Sequence, residues 1–211
     1  MLAVAFGSST VGFATADRQW TGLLPSAVDS RVVVWSASST RLLPLRPRQF
    51  WDLAAVHKLL YGGRRDDPAA VWAAAHGLPV PVLPGDDLTL LDRGLSVVEG
   101  FVDPVRADGS LHPDAQRSCS PTRWASLALE VQALQEAALR ALPDPRALAS
   151  GPPLALVTAW AESAASLLCT ELEADGLPFD EPAALSLIAA AIGGADDRAV
   201  RDAPVLAPVP R

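Results

Sequence analysis

The stretch Ala161–Asp180, AESAASLLCTELEADGLPFD, decides how the C-terminal part of this chain is read. Trp160, Ala164, Leu167, Leu168 and Leu172 recur at helical spacing, while Glu162, Glu171, Glu173 and Asp175 fall elsewhere on the wheel. The spacing predicts a helix with its apolar stripe over those five residues. Gly176 can adopt the left-handed backbone that ends a helix, and Pro178 prevents continuation. Asp180 stands at an N-cap position before Glu181-Pro182 and the apolar run to Ile192, so a second helix follows. The segment is a helical hairpin.

Upstream, Leu2 to Phe6 and Val11 to Ala14 flank Gly7-Ser8-Ser9-Thr10 and predict a β-hairpin. Arg31 to Trp35, RVVVW, is β-branched and apolar, as a buried strand requires. Pro44 and Pro47 interrupt the chain before a helix through Leu60, with Leu53, Val56, Leu59 and Leu60 on one face and Gly62-Gly63 at its end. Asp66-Asp67-Pro68 offers an N-cap and a first-turn proline for a helix through Ala75. Leu78 to Pro121 is rich in proline, glycine and aspartate and reads as a long irregular connection. Ser120-Pro121-Thr122 opens a strong helix through Leu142, and Pro143-Asp144-Pro145 closes it. Strands first and helices after suit a mixed α/β domain.

Half of the 211 residues are hydrophobic, which argues against general disorder. Cys119 and Cys169 are isolated, so no metal finger is expected and a reduced, cytoplasmic setting follows. The apolar N-terminus lacks a charged leader, and no run of membrane length occurs, so neither a signal peptide nor a membrane span is expected. Seventeen basic residues against twenty-four acidic ones give a formal charge of −7, a balance that disfavours autonomous tight DNA binding. The local candidates for phosphate contact are Arg41, Arg46, Arg48, Lys58, Arg64 and Arg65, equally readable as a solvated rim.

Other chemistry-bearing residues have structural readings. Asp52 is a possible metal ligand, but its position before Leu53–Leu60 favours an N-cap. His57 has no acidic neighbour at helical spacing, and His76 stands at a helix C-terminus, where an imidazolium complements the dipole. His112 has Asp108 and Asp114 nearby but no third ligand in register. Cys169 reads as a small core hydrophobe. Trp51, Trp72, Trp124 and Trp160 occupy helical positions suited to the core, and Ser8-Ser9-Thr10 lacks the glycines of a phosphate loop.

Ala161–Asp180 resembles the segment that joins the 3′–5′ exonuclease domain of family A DNA polymerases to the thumb. Glu162, Leu168, Glu173, Gly176 and Asp180 occupy the matching positions, with Leu172 and Leu177 as apolar supports. Together, WDLAAVHKLLYGG (51–63), SLHPD (110–114) and the segment itself are similar to actinobacterial proteins described as bifunctional 3′–5′ exonuclease/DNA polymerases. The resemblance implies a ribonuclease H-like domain of the DEDD exonuclease type over 1–148. A helical hairpin over 149–195 would lead into a polymerase thumb, with a loose tail at 196–211. It further implies a chain that stops as the polymerase begins, with a polymerase domain in cis or from a neighbouring reading frame as partner.

Exonucleases of that kind hold two divalent metals with four carboxylates. The matching positions here are bare of them. Leu2 to Ala16 contains no acidic residue, and the stretch after RVVVW offers Ser36, Ser38, Ser39 and Thr40. Trp124 takes the aromatic position of the last motif and Ala128 its aspartate position, while Glu130 projects from another side of the helix. The expectation is a degenerate nuclease with no catalytic residues and no cofactor, serving as a scaffold in DNA replication or repair. Two alternatives remain open. One is an active exonuclease using magnesium on the unorthodox ligands Asp17, Asp52, Asp67 and Glu130. The other is a non-enzymatic interaction module docking through Leu154 to Ala191.

Overall fold

The computed structural model describes residues 1–7, 10–23, 28–42, 47–81, 103–112, 115–146, 151–176 and 179–192. Leu2–Phe6 (β1) and Val11–Ala14 (β2) form an antiparallel hairpin, from Ala3 opposite Ala14 to Phe6 opposite Val11. The Gly7 N–H closes it on the Thr10 carbonyl at 2.8 Å. Gln19–Gly22 (β3) extends the meander beside β2, a strand that the apolar pattern does not announce. It is a largely exposed edge strand, so no inward alternation is required of it. Val32–Val34 (β4) lies parallel to β1, and Phe50–Asp52 (β5) lies parallel to β4. The sheet runs β3-β2-β1-β4-β5, and the fold is mixed α/β.

A 3-10 turn, Ala37–Leu42, follows β4. The helices are Leu53–Tyr61 (α1), Pro68–Ala75 (α2), Ala115–Ser118 (α3), Pro121–Ala141 (α4), Leu154–Asp175 (α5) and Glu181–Ile192 (α6). Side chains initiate four of them: Asp52, Asp67, Ser120 and Asp180 accept hydrogen bonds from N–H groups of the first turn. On α1, Leu53 and Val56 are buried as expected, but Leu59 is exposed and His57 takes the inward place. Within Leu78 to Pro121 the structure describes a bridge between Val105 and Leu111 and the short α3. Arg46, Asp114, Leu177, Pro178 and the expected tail 196–211 lie outside the described residues.

The sheet is covered on both faces. Ala3, Ala5, Ala14, Val33 and Trp51 join Leu53, Val71, Trp72, Ala125, Ala128 and Val131 in one buried cluster. Leu2, Val4, Phe13, Val32, Val34 and Phe50 form the other, with Leu167 of α5. Small side chains on β1 and β2 let α4 approach the sheet closely. A Cβ on Gly12 would overlap the backbone of Pro121 and Thr122.

Helix α5 departs from the expected orientation. Its buried residues are Leu156, Ala159, Ser163, Leu167 and Thr170, whereas Leu168 and Leu172 are exposed. The cause is polar anchoring. Ser163 accepts the Asp52 N–H at 3.1 Å, and Ser166 donates its hydroxyl to the Asp52 carboxylate at 2.7 Å. Two serines meeting the edge of β5 rotate the leucine pair outward. By contacts the chain divides into Met1–Ala174, which contains the sheet and nearly all of α5, and Asp175–Arg211, which contains α6.

Candidate functional site

Parallel strands β1 and β4 end side by side, and ligand clefts in α/β sheets open at such carboxyl ends. A cleft of about 480 Å³ lies there, bounded by Val4 to Phe6, Trp35 and Ser36, the 3-10 turn, and the starts of α2 and α4. Its back wall is an indole pair. Trp35 and Trp124 stack with centroids 4.4 Å apart, and the Trp35 N–H donates to the Trp124 carbonyl at 3.2 Å. Ser36, Ser38 and Ser39 line the rim, with Ser36 and Ser38 hydroxyls 3.0 Å apart. Ala128 is fully buried in the cluster that holds Ala3 and Ala5.

Two carboxylates reach this cleft, and both are neutralised. Asp66 pairs with Lys58 at 2.5 Å. Asp67 receives the Arg65 guanidinium on both oxygens, at 2.8 and 2.9 Å, while capping α2. Burial alone would raise the Asp67 carboxyl, but the Arg65 bonds and the Ala70 N–H outweigh it and hold its pKa below the ordinary range. Arg65 also donates to the Pro81 carbonyl, so its charge is committed locally.

A second cleft, about 650 Å³, lies between the 3-10 turn, α1 and α5. Asp52 sits at its base and is 3% exposed, yet four donors satisfy it: the N–H groups of Ala37, Ala54 and Ala55 and the Ser166 hydroxyl. The N-cap reading of Asp52 therefore holds, extended into a junction of three elements. Arg41 and Lys58 line the same cleft and pair with Glu173 and Asp66, while Glu162 stands beside them. Arg48 and Arg64 are exposed elsewhere on the surface. Against four carboxylates, two compensated cations leave this cleft acidic, a poor match to a phosphate backbone.

Comparison with protein-family models, characterised proteins and solved structures returned no match. Function therefore rests on the residues themselves. The unorthodox ligand set is dispersed. Asp17 accepts from Thr15 in the β2–β3 turn, and Glu130 meets His76 Nε2 at 3.1 Å. Asp52 and Asp67 line different clefts. Among the described residues, no group of three or more metal-ligating side chains converges.

His57 and His76 serve packing. His76, the C-cap residue of α2, donates from Nδ1 to the Trp72 carbonyl at 2.9 Å and stacks its ring on Trp72. His57 Nε2 donates to the Arg65 carbonyl at 3.1 Å, leaving Nδ1 buried without a partner. Burial pushes the His57 imidazole below its ordinary pKa. Trp72 and Trp124 are core residues on helices as expected, whereas Trp51 is buried on strand β5 and not on a helix, and Trp160 is half-buried with Arg31 over its ring. Cys169 corrects the sequence reading: it is exposed and lines the second cleft, because α5 is turned by its serines. Cys119 is the buried thiol, pushed up to about 11 by desolvation. Gly176 has φ +76° and ends α5 as expected, and Asp180 caps α6 through the Ala183 N–H at 2.9 Å. Sequence reading missed Ser163 and Ser166, whose signal was hydroxyls recurring with Thr170 at helical spacing. Among the described residues, no helix is long and apolar enough to cross a membrane.

Proposed function

We propose that this chain is the exonuclease-like N-terminal region of a family A DNA polymerase-like protein, acting in the cytoplasm as a scaffold without nuclease activity of its own. The observation that carries the reading is the first cleft. Strand order β3-β2-β1-β4-β5, with β2 antiparallel and β4 and β5 parallel to β1, is compatible with a ribonuclease H-like domain. The carboxyl ends of β1 and β4 and the start of α4 then meet where metal-binding carboxylates are needed. In this chain those positions hold Ala5, Ser36, Trp124 and Ala128.

Hydrolysis of a phosphodiester by two metals needs a cluster of hard oxygen ligands to bind the ions and activate water. Alanines and serines supply no such charge, and Asp66 and Asp67 are tied to Lys58 and Arg65. A domain of this form contributes packing surface for a polymerase half, with DNA contacts weak where present. The test is release of mononucleotides from single-stranded DNA with magnesium or manganese. Turnover equal to a chelated control supports the scaffold, whereas metal-dependent turnover lost in Asp67→Asn establishes the nuclease. Sequence encoded downstream of Arg211 supplies the second arm: a palm-domain carboxylate motif there supports the family, and a different protein refutes it.

A further inference from the structure

The loop 62–67 between α1 and α2 stands where the two clefts meet, and its Asp66 lines both of them. It leaves α1 through Gly62 and Gly63, at φ +66° and +85°, with open space around each. Two side chains of α1 hold it back. Lys58 pairs with Asp66, but both partners are about half exposed, so water and salt weaken the pair. The other tether is buried: His57, 4% exposed, meets the Arg65 carbonyl through Nε2 at 3.1 Å.

A carbonyl oxygen only accepts, so Nε2 carries the proton of the neutral ring. Nδ1 is then a bare lone pair, buried without a partner. A second proton has to sit at Nδ1, where it creates a buried charge with no acceptor. The surrounding charges are already spent. Asp66 is paired with Lys58, which itself repels an imidazolium, and Asp67 is paired with Arg65. Tyr61 lies 5.4 Å from the imidazole, and burial keeps its phenol neutral beyond the ordinary range. Helix α2 carries no charged side chain, its C-cap His76 holds Glu130 of α4, and Glu136 of α4 pairs with Arg140. Burial therefore dominates, and the enclosed ring resists protonation, whereas a ring released to water titrates near 6.5.

We propose that His57 is a proton-operated latch: neutral, it holds loop 62–67 on α1, and protonated, it withdraws and frees the loop together with the Asp66 wall of both clefts. Mild acid then widens access to the clefts while the sheet stays folded. The latch is independent of the nuclease reading, since it concerns the wall of the clefts and not what they hold.

The experiment is hydrogen exchange of the full chain at pH 7.5 and 5.5, read by mass spectrometry and corrected for intrinsic exchange rates. Opening of the segment 62–71 should increase about 3- to 10-fold at the lower pH, the upper limit being set by titration of the released ring at 6.5. Its opening constant should stay about 100-fold or more above that of Val32–Val34 at both pH values, as local release requires. His57→Gln keeps an N–H for the Arg65 carbonyl but has no titration, so the increase should vanish, whereas His76→Gln should retain it. Equal opening constants for loop and strand overturn the latch, because the loop then exchanges only through global unfolding. A pH-independent loop in the unmodified chain, or an increase that survives His57→Gln, overturns it as well.

Discussion

The Asp52 carboxylate accepts the Ser166 hydroxyl at 2.7 Å across 114 positions of sequence, fastening the first long segment of the fold to the last helix of its compact unit. The same carboxylate starts α1 and holds the Ala37 N–H of the 3-10 turn at 2.9 Å. One side chain thus sets the relative positions of three elements.

Asp52→Ala should therefore destabilise the protein by roughly 2–4 kcal/mol, through a lost cap and backbone donors left buried without an acceptor. Asp52→Asn keeps one acceptor oxygen and should fall between the two. Urea titration monitored by tryptophan fluorescence measures both. A loss below about 0.5 kcal/mol for the alanine variant would contradict the junction role.

Ser163→Ala removes the acceptor of the Asp52 N–H while leaving the apolar contacts of α5 intact. Ser163 is fully buried, so bulk solvent does not reach the freed Asp52 N–H and a cost of about 1–2 kcal/mol is expected. Ala164→Ser, on the exposed side, should change stability by less than about 0.5 kcal/mol. Equal effects at the two sites would contradict the observed rotation of α5.

His57 predicts a pH dependence. Its folded pKa lies below the ordinary value of 6.5 because burial disfavours the imidazolium. As pH falls through 6.5 the unfolded chain takes up a proton before the folded one, so stability declines there and levels off below the folded pKa. Stability should rise with pH across this window, and His57→Gln should flatten that slope. Denaturation midpoints between pH 5 and 7.5 test it, and an unchanged slope in the variant refutes the assignment.

Gly12→Ala places a methyl group into the backbone of Pro121 and Thr122, which cannot move without shifting α4. A loss of about 2 kcal/mol or more follows from such overpacking. Gly176→Val acts differently: space is open, but φ +76° penalises a β-branched residue by roughly 1–3 kcal/mol. Helical content of Glu181–Ile192 and the melting temperature separate the two effects.

Much of this architecture was legible in the chain, and the exceptions have two causes, an exposed edge that needs no apolar pattern and contacts made only in the tertiary fold. Asp52, Asp67, Ser120 and Asp180 announce their helices because capping is local chemistry that a few neighbouring residues specify. Val32 to Val34 announce a buried strand by composition. β3 was silent because an exposed edge strand needs no apolar pattern. The face of α5 was misread because hydrophobic periodicity assumes that leucines point inward. Asp52, whose backbone N–H meets Ser163 and whose carboxylate takes the Ser166 hydroxyl, 111 and 114 positions away, decided otherwise. Pairing of Asp66 with Lys58 and Glu130 with His76 is likewise tertiary, so the charge available in each cleft could not be counted beforehand.

The placement of α5 along β5 has a consequence for handling the protein. β5 is a terminal strand of the sheet, and its Asp52 N–H is occupied by Ser163. A fragment ending at residue 148 would bare that strand, with Phe50 and Trp51 beside free backbone donors, and invite strand-to-strand pairing between molecules. Aggregation of such a fragment, and solubility of one extended through Ala174, would identify α5 as the element that shields the edge of the sheet.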